Sequence, residues 1–303
     1  MPELPDVTVY VEALEARIVG KTLQRIDIAG PYLLRTFEPM PADLHGKRVH
    51  AVKRVGKRIA IGVDGGLWSV VHLMIAGRFH WSDKYKRPDG RRTLAAWVFE
   101  NGCLTLTEAG SQKRAALHIT TTPDALDAGG IDVLAATTAE FARVLASENH
   151  TVKRALTDPR LFSGIGNAYS DEILHRAQMS PVTLTSRLDA DVIAKLHTAV
   201  KETLLEWTER LRSEANGKFP EKVTAFRPEM AVHGRYGLPC PECGTKIQRI
   251  RYASNETNYC VTCQTGGKLL ADRGLSRLLR EDWPKNLEEL ENLRSETVGP
   301  SEK

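Results

Sequence analysis

Apolar positions recur first at helical spacing. Across residues 7–19, Val9, Val11, Leu14 and Ile18 lie near one face, and Gly20 supplies a stop. The period then shortens. Residues 23–28, 49–52, 58–63, 68–73, 94–99 and 103–106 are short alternating or apolar runs. Asp64-Gly65-Gly66, Asp89-Gly90 and Asn101-Gly102 separate several of them as turns. An opening helix followed by many short strands predicts a β-sandwich or barrel over residues 1–130. Beyond about residue 130 helices are expected at 137–147, 152–156, 167–176 and 190–212. The last of these puts Val192, Leu196, Val200, Leu204 and Trp207 on one side.

Residues 215–222 are polar and should loosen the chain ahead of a cysteine-rich segment at 231–266. Residues 268–280 form a basic amphipathic stretch whose leucines favour packing on that segment. A Leu/Glu run and a polar tail at 295–303, expected to be disordered, complete the chain. The fold class expected is therefore α+β and multidomain. It comprises an N-terminal sandwich (1–130), a helical domain (131–230), a cysteine hairpin (231–266) and a helical extension with its tail (267–303).

Composition narrows the class without choosing a function. A chain of 303 residues, 42% hydrophobic and 26% charged, can bury the cores of about two domains. A net charge of +4 suits a nucleic-acid partner but is shared by many soluble proteins. No run approaches the ~18 apolar residues of a membrane span, and the start lacks a signal-peptide pattern. A cytosolic protein with reduced thiols is expected.

The cysteines add chemistry. Cys240-Pro-Glu-Cys243 and Cys260-Val-Thr-Cys263 are two C-x2-C pairs with sixteen residues between them. Each pair supplies two corners of a thiolate tetrahedron, and a hairpin brings the pairs together. Four protein ligands leave no open position, so one structural zinc per chain is expected; two disulfides are the competing reading. Lys246, Arg249 and Arg251 lie between the pairs, either as a solvated face or as phosphate contacts. Cys103, in an apolar run, reads as a small buried hydrophobe.

Four features occur together in order. The opening is Met1-Pro2-Glu3-Leu4-Pro5-Asp6-Val7. A basic turn, Val55-Gly56-Lys57-Arg58, precedes an apolar run. Leu161-Phe-Ser-Gly-Ile-Gly166-Asn167-Ala-Tyr-Ser-Asp171-Glu172 joins a glycine turn to a helix. Val232-His-Gly-Arg235-Tyr-Gly237 leads into the cysteine hairpin. Over residues 2 to 264 the chain resembles the formamidopyrimidine-DNA glycosylase and endonuclease VIII family, leaning to the formamidopyrimidine branch.

The resemblance implies a helix–two-turn–helix in the helical domain and damaged double-stranded DNA bound by a monomer. It implies base-excision repair by a glycosylase with AP lyase (β,δ-elimination) activity, acting on oxidised bases, purines first. Pro2, exposed by removal of Met1, would be the nucleophile. Glu3 would be the acid at the sugar ring oxygen, and Lys57 would lie near the nucleophile and the lesion phosphate. Met74 matches a residue that fills the gap left by an extruded base. Lys153 and Asn167 match phosphate contacts, Asn167 alternatively capping its helix. Glu172 resembles a carboxylate near the lesion sugar, and Arg235 lies on the strand entering the zinc finger.

Two departures stand out. Residues 107–115 lack the family's arginine–phenylalanine pair, and Asn255 holds the hairpin position where the family places a phosphate-clamping arginine. Asn brings no charge, so a charge-assisted contact is lost there, with Arg249 and Arg251 as candidate substitutes. A damage- or abasic-site-binding protein of the same fold is the alternative.

Overall fold

The computed structural model describes residues 1–110, 112–221, 223–224, 226–252, 255–272, 279 and 282–297. They form two compact units: residues 1–130 with 204–225, and residues 131–203 with 226–303.

The first unit opens with α1 (Leu4–Ile18). Glu3 is its N-cap residue and its backbone N–H donates to Asp6 Oδ2 at 2.9 Å, while Pro5 occupies the first turn, where its missing N–H costs nothing. The fully buried stripe is Val7, Tyr10, Leu14 and Ile18, whereas Val11 is half-buried. Eight strands follow: β1 (Thr22–Ile28), β2 (Lys47–Val55), β3 (Arg58–Val63), β4 (Leu67–His72), β5 (Gly77–Ser82), β6 (Thr93–Phe99), β7 (Gly102–Glu108) and β8 (Ala116–Thr120). Their order is β5-β7-β6-β1-β2-β3-β4-β8, antiparallel throughout.

Only two register pairs, Thr22 with Arg48 and Leu23 with Lys47, join β1 to β2. The sheet is thus two four-stranded halves folded onto one apolar core. Trp97 on β6 and Val71 on β4 belong to the same buried cluster, and Trp97 Nε1 donates to Ser69 Oγ at 2.9 Å across it. β5 and β8 escaped the pattern reading: Gly77-Arg-Phe-His-Trp-Ser and Ala116-Leu-His-Ile-Thr are short and polar at alternate positions. The segment expected to be loose instead contributes Phe219 to this core, 5.6 Å from Tyr10 between ring centroids, and Val223 just beyond it joins the same cluster.

The second unit contains α2 (Thr138–Leu145), α3 (Val152–Thr157), α4 (Asn167–Arg176) and the start of α5 (Ala190–Ala215). Thr137 caps α2 reciprocally with Glu140. Phe141 stacks on Phe162 at 4.7 Å and anchors the turn that leads to α4. The hairpin β9 (Gln248–Tyr252) and β10 (Asn255–Tyr259) is followed by α6 (Val261–Thr265) and α7 (Leu287–Thr297). Residues 268–272 are not helical, and 273–278 and 280 lie outside the described residues. The expected packing is present: Leu269 and Leu270 join Trp283, Leu287 and Leu290 against Tyr259 and Val261. α7 continues to Thr297, into the tail expected to be disordered; 298–303 lie outside the described residues.

Candidate active and nucleic-acid sites

In the first unit the chain terminus enters the fold beside charge. Pro2 and Glu3 are buried at the foot of α1. Lys57 occupies the two-residue turn between β2 and β3. Gly56 takes φ +59 as the first turn residue, a conformation in which glycine has no Cβ penalty.

Burial lowers the pKa of the terminal amine, here that of Met1. Glu3 opposes the shift, Arg78 supports it, Asp6 opposes and Lys57 supports. Burial also lowers the Lys57 pKa, with Glu3 opposing. Two cations and two carboxylates therefore act on the amine, and the net shift is toward its neutral form. Arg78 was missed by sequence reasoning; its position at the start of β5, directly after the turn that carries Met74, was the available signal. Its Nη1 donates to the carbonyls of Gly77 at 2.6 Å and Ile75 at 3.1 Å, and its Nε to that of Val223.

Met74 lies on the same turn at φ +53, a left-handed conformation uncommon outside glycine. Gly77 closes the turn, because a Cβ there would lie 2.2 Å from the Leu73 carbonyl oxygen. His72, half-buried at the end of β4, has its pKa lowered to about 4 by burial, then by Arg58, Lys57 and His118. At the end of β7 the Glu108 carboxylate accepts the backbone N–H groups of Arg114 at 2.9 Å and Ala115 at 3.2 Å.

In the second unit two adjacent carboxylates of α4 face inward. Glu172 accepts backbone N–H groups from Ala231 at 2.7 Å and from Val232 and His233 at 2.9 Å each. Burial raises its pKa, while those three donors pull the other way. The carboxylate thus holds the segment that enters the cysteine hairpin. Asp171, fully buried, binds Lys153 through Oδ1; Oδ2 accepts from His233 Nδ1 at 2.8 Å and Asn258 N–H at 3.2 Å.

Asn167 does not cap α4, because Gly166 is the N-cap residue. Its Nδ2 instead donates to the Glu256 carbonyl at 2.8 Å, and Lys153 donates to the Asn167 carbonyl at 3.3 Å. Lys153 and Asn167 are thus brought together at the start of α4.

The hairpin cations differ in availability. Arg235 donates to the carbonyls of Pro228 at 2.7 Å and Pro239 at 3.3 Å, which makes it a brace for the segment entering the hairpin. Arg249 lies 4.1 Å over the Tyr236 ring and pairs with Glu256 at 3.3 Å. Arg251 has a side chain 64% exposed. Asn255 begins β10 opposite Tyr252, and its side chain lies outside the described residues.

The four cysteine sulfurs lie within 4.8 Å of one another. Cys243 and Cys260 are separated by 3.4 Å between sulfurs and Cys240 and Cys263 by 4.0 Å, too far for disulfides. A thiolate tetrahedron with metal–sulfur bonds of about 2.3 Å has edges of about 3.8 Å, so the donor set fits one structural zinc. Thr245 O accepts the Cys240 N–H at 2.9 Å, and Gly244, at φ +75, closes that knuckle. Among the described residues no helix is long and apolar enough to cross a membrane.

A buried chain terminus among charged groups in a β-sheet unit, and a helical turn joined to a zinc hairpin in the other unit, define a zinc-finger protein of the DNA-glycosylase class. Comparison with known proteins narrows this. Residues 1–113 match the model of the formamidopyrimidine-DNA glycosylase N-terminal domain. Residues 130–215 match that family's H2TH domain, and 237–266 match the zinc finger found in FPG and IleRS.

The formamidopyrimidine-DNA glycosylase of Pelotomaculum thermopropionicum is 30% identical, covering 87% of this chain and 99% of its own. A Mycobacterium tuberculosis protein described as an uncharacterized formamidopyrimidine-DNA glycosylase-like protein is 41% identical over 50% of this chain and 94% of its own. Wild-type Lactococcus lactis Fpg (MutM), solved with DNA containing an oxidised pyrimidine, superposes with a TM-score of 0.76 at 26% identity, covering 87% of this chain and 100% of that one. The chain belongs to the formamidopyrimidine-DNA glycosylase family.

Proposed function

We propose that this protein is a base-excision-repair DNA glycosylase with AP lyase activity, working on oxidised bases in double-stranded DNA as a cytoplasmic monomer. The observation that carries this reading is the burial of Pro2 and Glu3 at the foot of α1, where Glu3, Arg78 and Lys57 all act on the chain terminus. Removal of Met1 makes Pro2 the terminal residue and a secondary amine. The Pro2 nitrogen attacks C1′ of the damaged nucleotide, and the bond from C1′ to the base breaks. Glu3 gives a proton to the ring oxygen as the sugar opens, and the amine, having lost its own proton, becomes an iminium. That electron sink acidifies the C2′ proton; its removal expels the 3′ phosphate, and a second elimination expels the 5′ phosphate.

The damaged base has to leave the stack for this attack. Met74, projected on a strained turn, is suited to fill the gap. Asn167, at the start of α4, and Lys153, which donates to its carbonyl, are suited to the phosphates, and Arg251, with a side chain 64% exposed, is a hairpin cation for them. One zinc, held by Cys240, Cys243, Cys260 and Cys263, fixes the hairpin and takes no part in the chemistry, since all four positions are filled by protein.

A lesion-binding protein without turnover is the second reading, favoured by the internal engagement of Arg235 and Arg249. Borohydride trapping on abasic-site DNA separates the two. The wild type should give a covalent complex and Pro2→Gly should not. Absence of a wild-type adduct with intact DNA binding selects the second reading, and an adduct that survives the substitution assigns the nucleophile to another amine.

A further inference from the structure

The cysteine hairpin and α4 meet at a contact that neither the zinc reading nor the glycosylase reading uses. His175, on the penultimate residue of α4 and 5% exposed, places Nε2 3.3 Å from Cys240 Sγ. Cys240 is itself 2% exposed and sits in a small apolar cluster with Val232, Ile247 and Cys260. A zinc-bound thiolate offers only lone pairs, so the ring nitrogen facing it carries the proton and donates. His175 is not a fifth ligand, because the set of metal-ligating atoms that lie mutually within 4.8 Å contains the four cysteines alone.

We infer that His175 is a positioning residue of the zinc centre: its Nε2–H donates to the Cys240 thiolate and ties the metal to α4. The physical reason is charge. Four thiolates on one divalent cation leave a net −2, and two of the sulfurs lie in buried cysteines where water cannot share that charge. Each N–H···S bond withdraws some of it. Cys260 Sγ receives such a bond from the Cys263 backbone N–H at 3.4 Å. For Cys240 the donor comes from a helix distant in sequence.

A second tie holds the same region. Gln264 on α6 accepts the Cys260 N–H through Oε1 at 2.8 Å and donates through Nε2 to the Met179 carbonyl, just past α4, at 2.9 Å. Both metal-binding knuckles are therefore bonded to the end of α4. The other end of α4 begins at Asn167, whose side chain donates into β10. Metal occupancy and the placement of α4 form one coupled unit, and His175 is its charged-sulfur contact. This inference rests on zinc binding by the four cysteines and is independent of the chemistry at Pro2.

The test uses the full zinc-loaded chain with His175→Phe, which keeps a flat ring and removes the donor, and His175→Gln, whose amide nitrogen restores one at similar reach. Competition with a chromogenic chelator should show zinc affinity about 10–100-fold weaker in His175→Phe, the usual effect of losing an outer-shell partner, and near wild type in His175→Gln. Cobalt(II)-substituted protein supplies a readout that packing alone does not move. The thiolate-to-metal charge-transfer band should shift to lower energy in His175→Phe, where the sulfur is a stronger electron donor, and return in His175→Gln. Unchanged affinity and an unchanged band in His175→Phe would overturn the inference. So would a weakened site with an unshifted band, since that result reports packing, or a glutamine variant that behaves like the phenylalanine one.

Discussion

Replacing Glu172 by Gln separates a structural carboxylate from one that touches DNA. In the structure its two oxygens accept three backbone N–H groups, from Ala231, Val232 and His233, at 2.7 to 2.9 Å. Gln keeps the shape and one acceptor oxygen, but turns an NH2 group toward a donor. The bond from Ala231, taken by Oε2 alone, is the one lost if the amide oxygen serves Val232 and His233. A charge-assisted hydrogen bond contributes ~1.5–3 kcal/mol, and a buried donor left unsatisfied costs ~1–3 kcal/mol. Against this stands relief of the desolvation that raises the Glu172 pKa. The net expectation is a loss of about 3 kcal/mol.

For a unit of about 150 residues that loss lowers Tm by roughly 6–12 °C. Thermal unfolding of zinc-loaded protein measures the shift, and amide exchange should accelerate first at residues 231–233. The reasoning fails if Tm and exchange stay at wild-type values while abasic-site cleavage collapses. That result would move the carboxylate from the 231–233 segment to the lesion.

Other expectations follow from the first unit and the zinc hairpin. His72 has its pKa lowered from 6.5 to about 4, so its contribution to stability is present above pH 6.5 and is lost as pH falls from 6.5 to about 4. His72→Gln should flatten the pH dependence of urea unfolding in that window, by at most ~3 kcal/mol; an unaltered slope would show that His72 does not set it. Met74→Gly should relieve a left-handed backbone and raise stability by about 1 kcal/mol, yet weaken binding to DNA with an extruded nucleotide, as measured by fluorescence anisotropy; equal affinity would remove Met74 from the gap-filling role. Leu269→Ala should cost about 2–4 kcal/mol in the stability of the hairpin and extension, and open the 268–272 segment to limited proteolysis; an undiminished protease resistance would contradict its packing on Tyr259 and Val261. Stripping zinc should raise amide exchange across β9 and β10, and unchanged exchange would mean that the hairpin stands without metal.

The sequence by itself determined the elements whose local signals agree with their surroundings. The two C-x2-C pairs need only a hairpin to close, so their spacing already contained the zinc site. The limits of α4 followed from the glycine turn before it and the apolar spacing within it. The body and end of α1 followed from its apolar spacing and Gly20, although the helix begins at Leu4, ahead of that spacing. β5 and β8 could not be read in the same way, because they are short, polar at alternate positions, and stabilised by neighbours on other strands.

Tertiary structure alone decided where charged side chains point. Glu172 and Arg235 carry no local sign of their partners; the fold gives Glu172 three backbone N–H groups and Arg235 two carbonyls. Arg78 looks like an ordinary strand cation until the fold sets it beside the terminal amine. His175 reads as one polar residue near the end of a helix, and only the return of the hairpin brings a cysteine sulfur to its ring. A helix or a zinc knuckle is specified over a few residues by propensity and spacing. The partner of a buried charge is specified by whichever distant segment packs against it, and no local pattern encodes that segment.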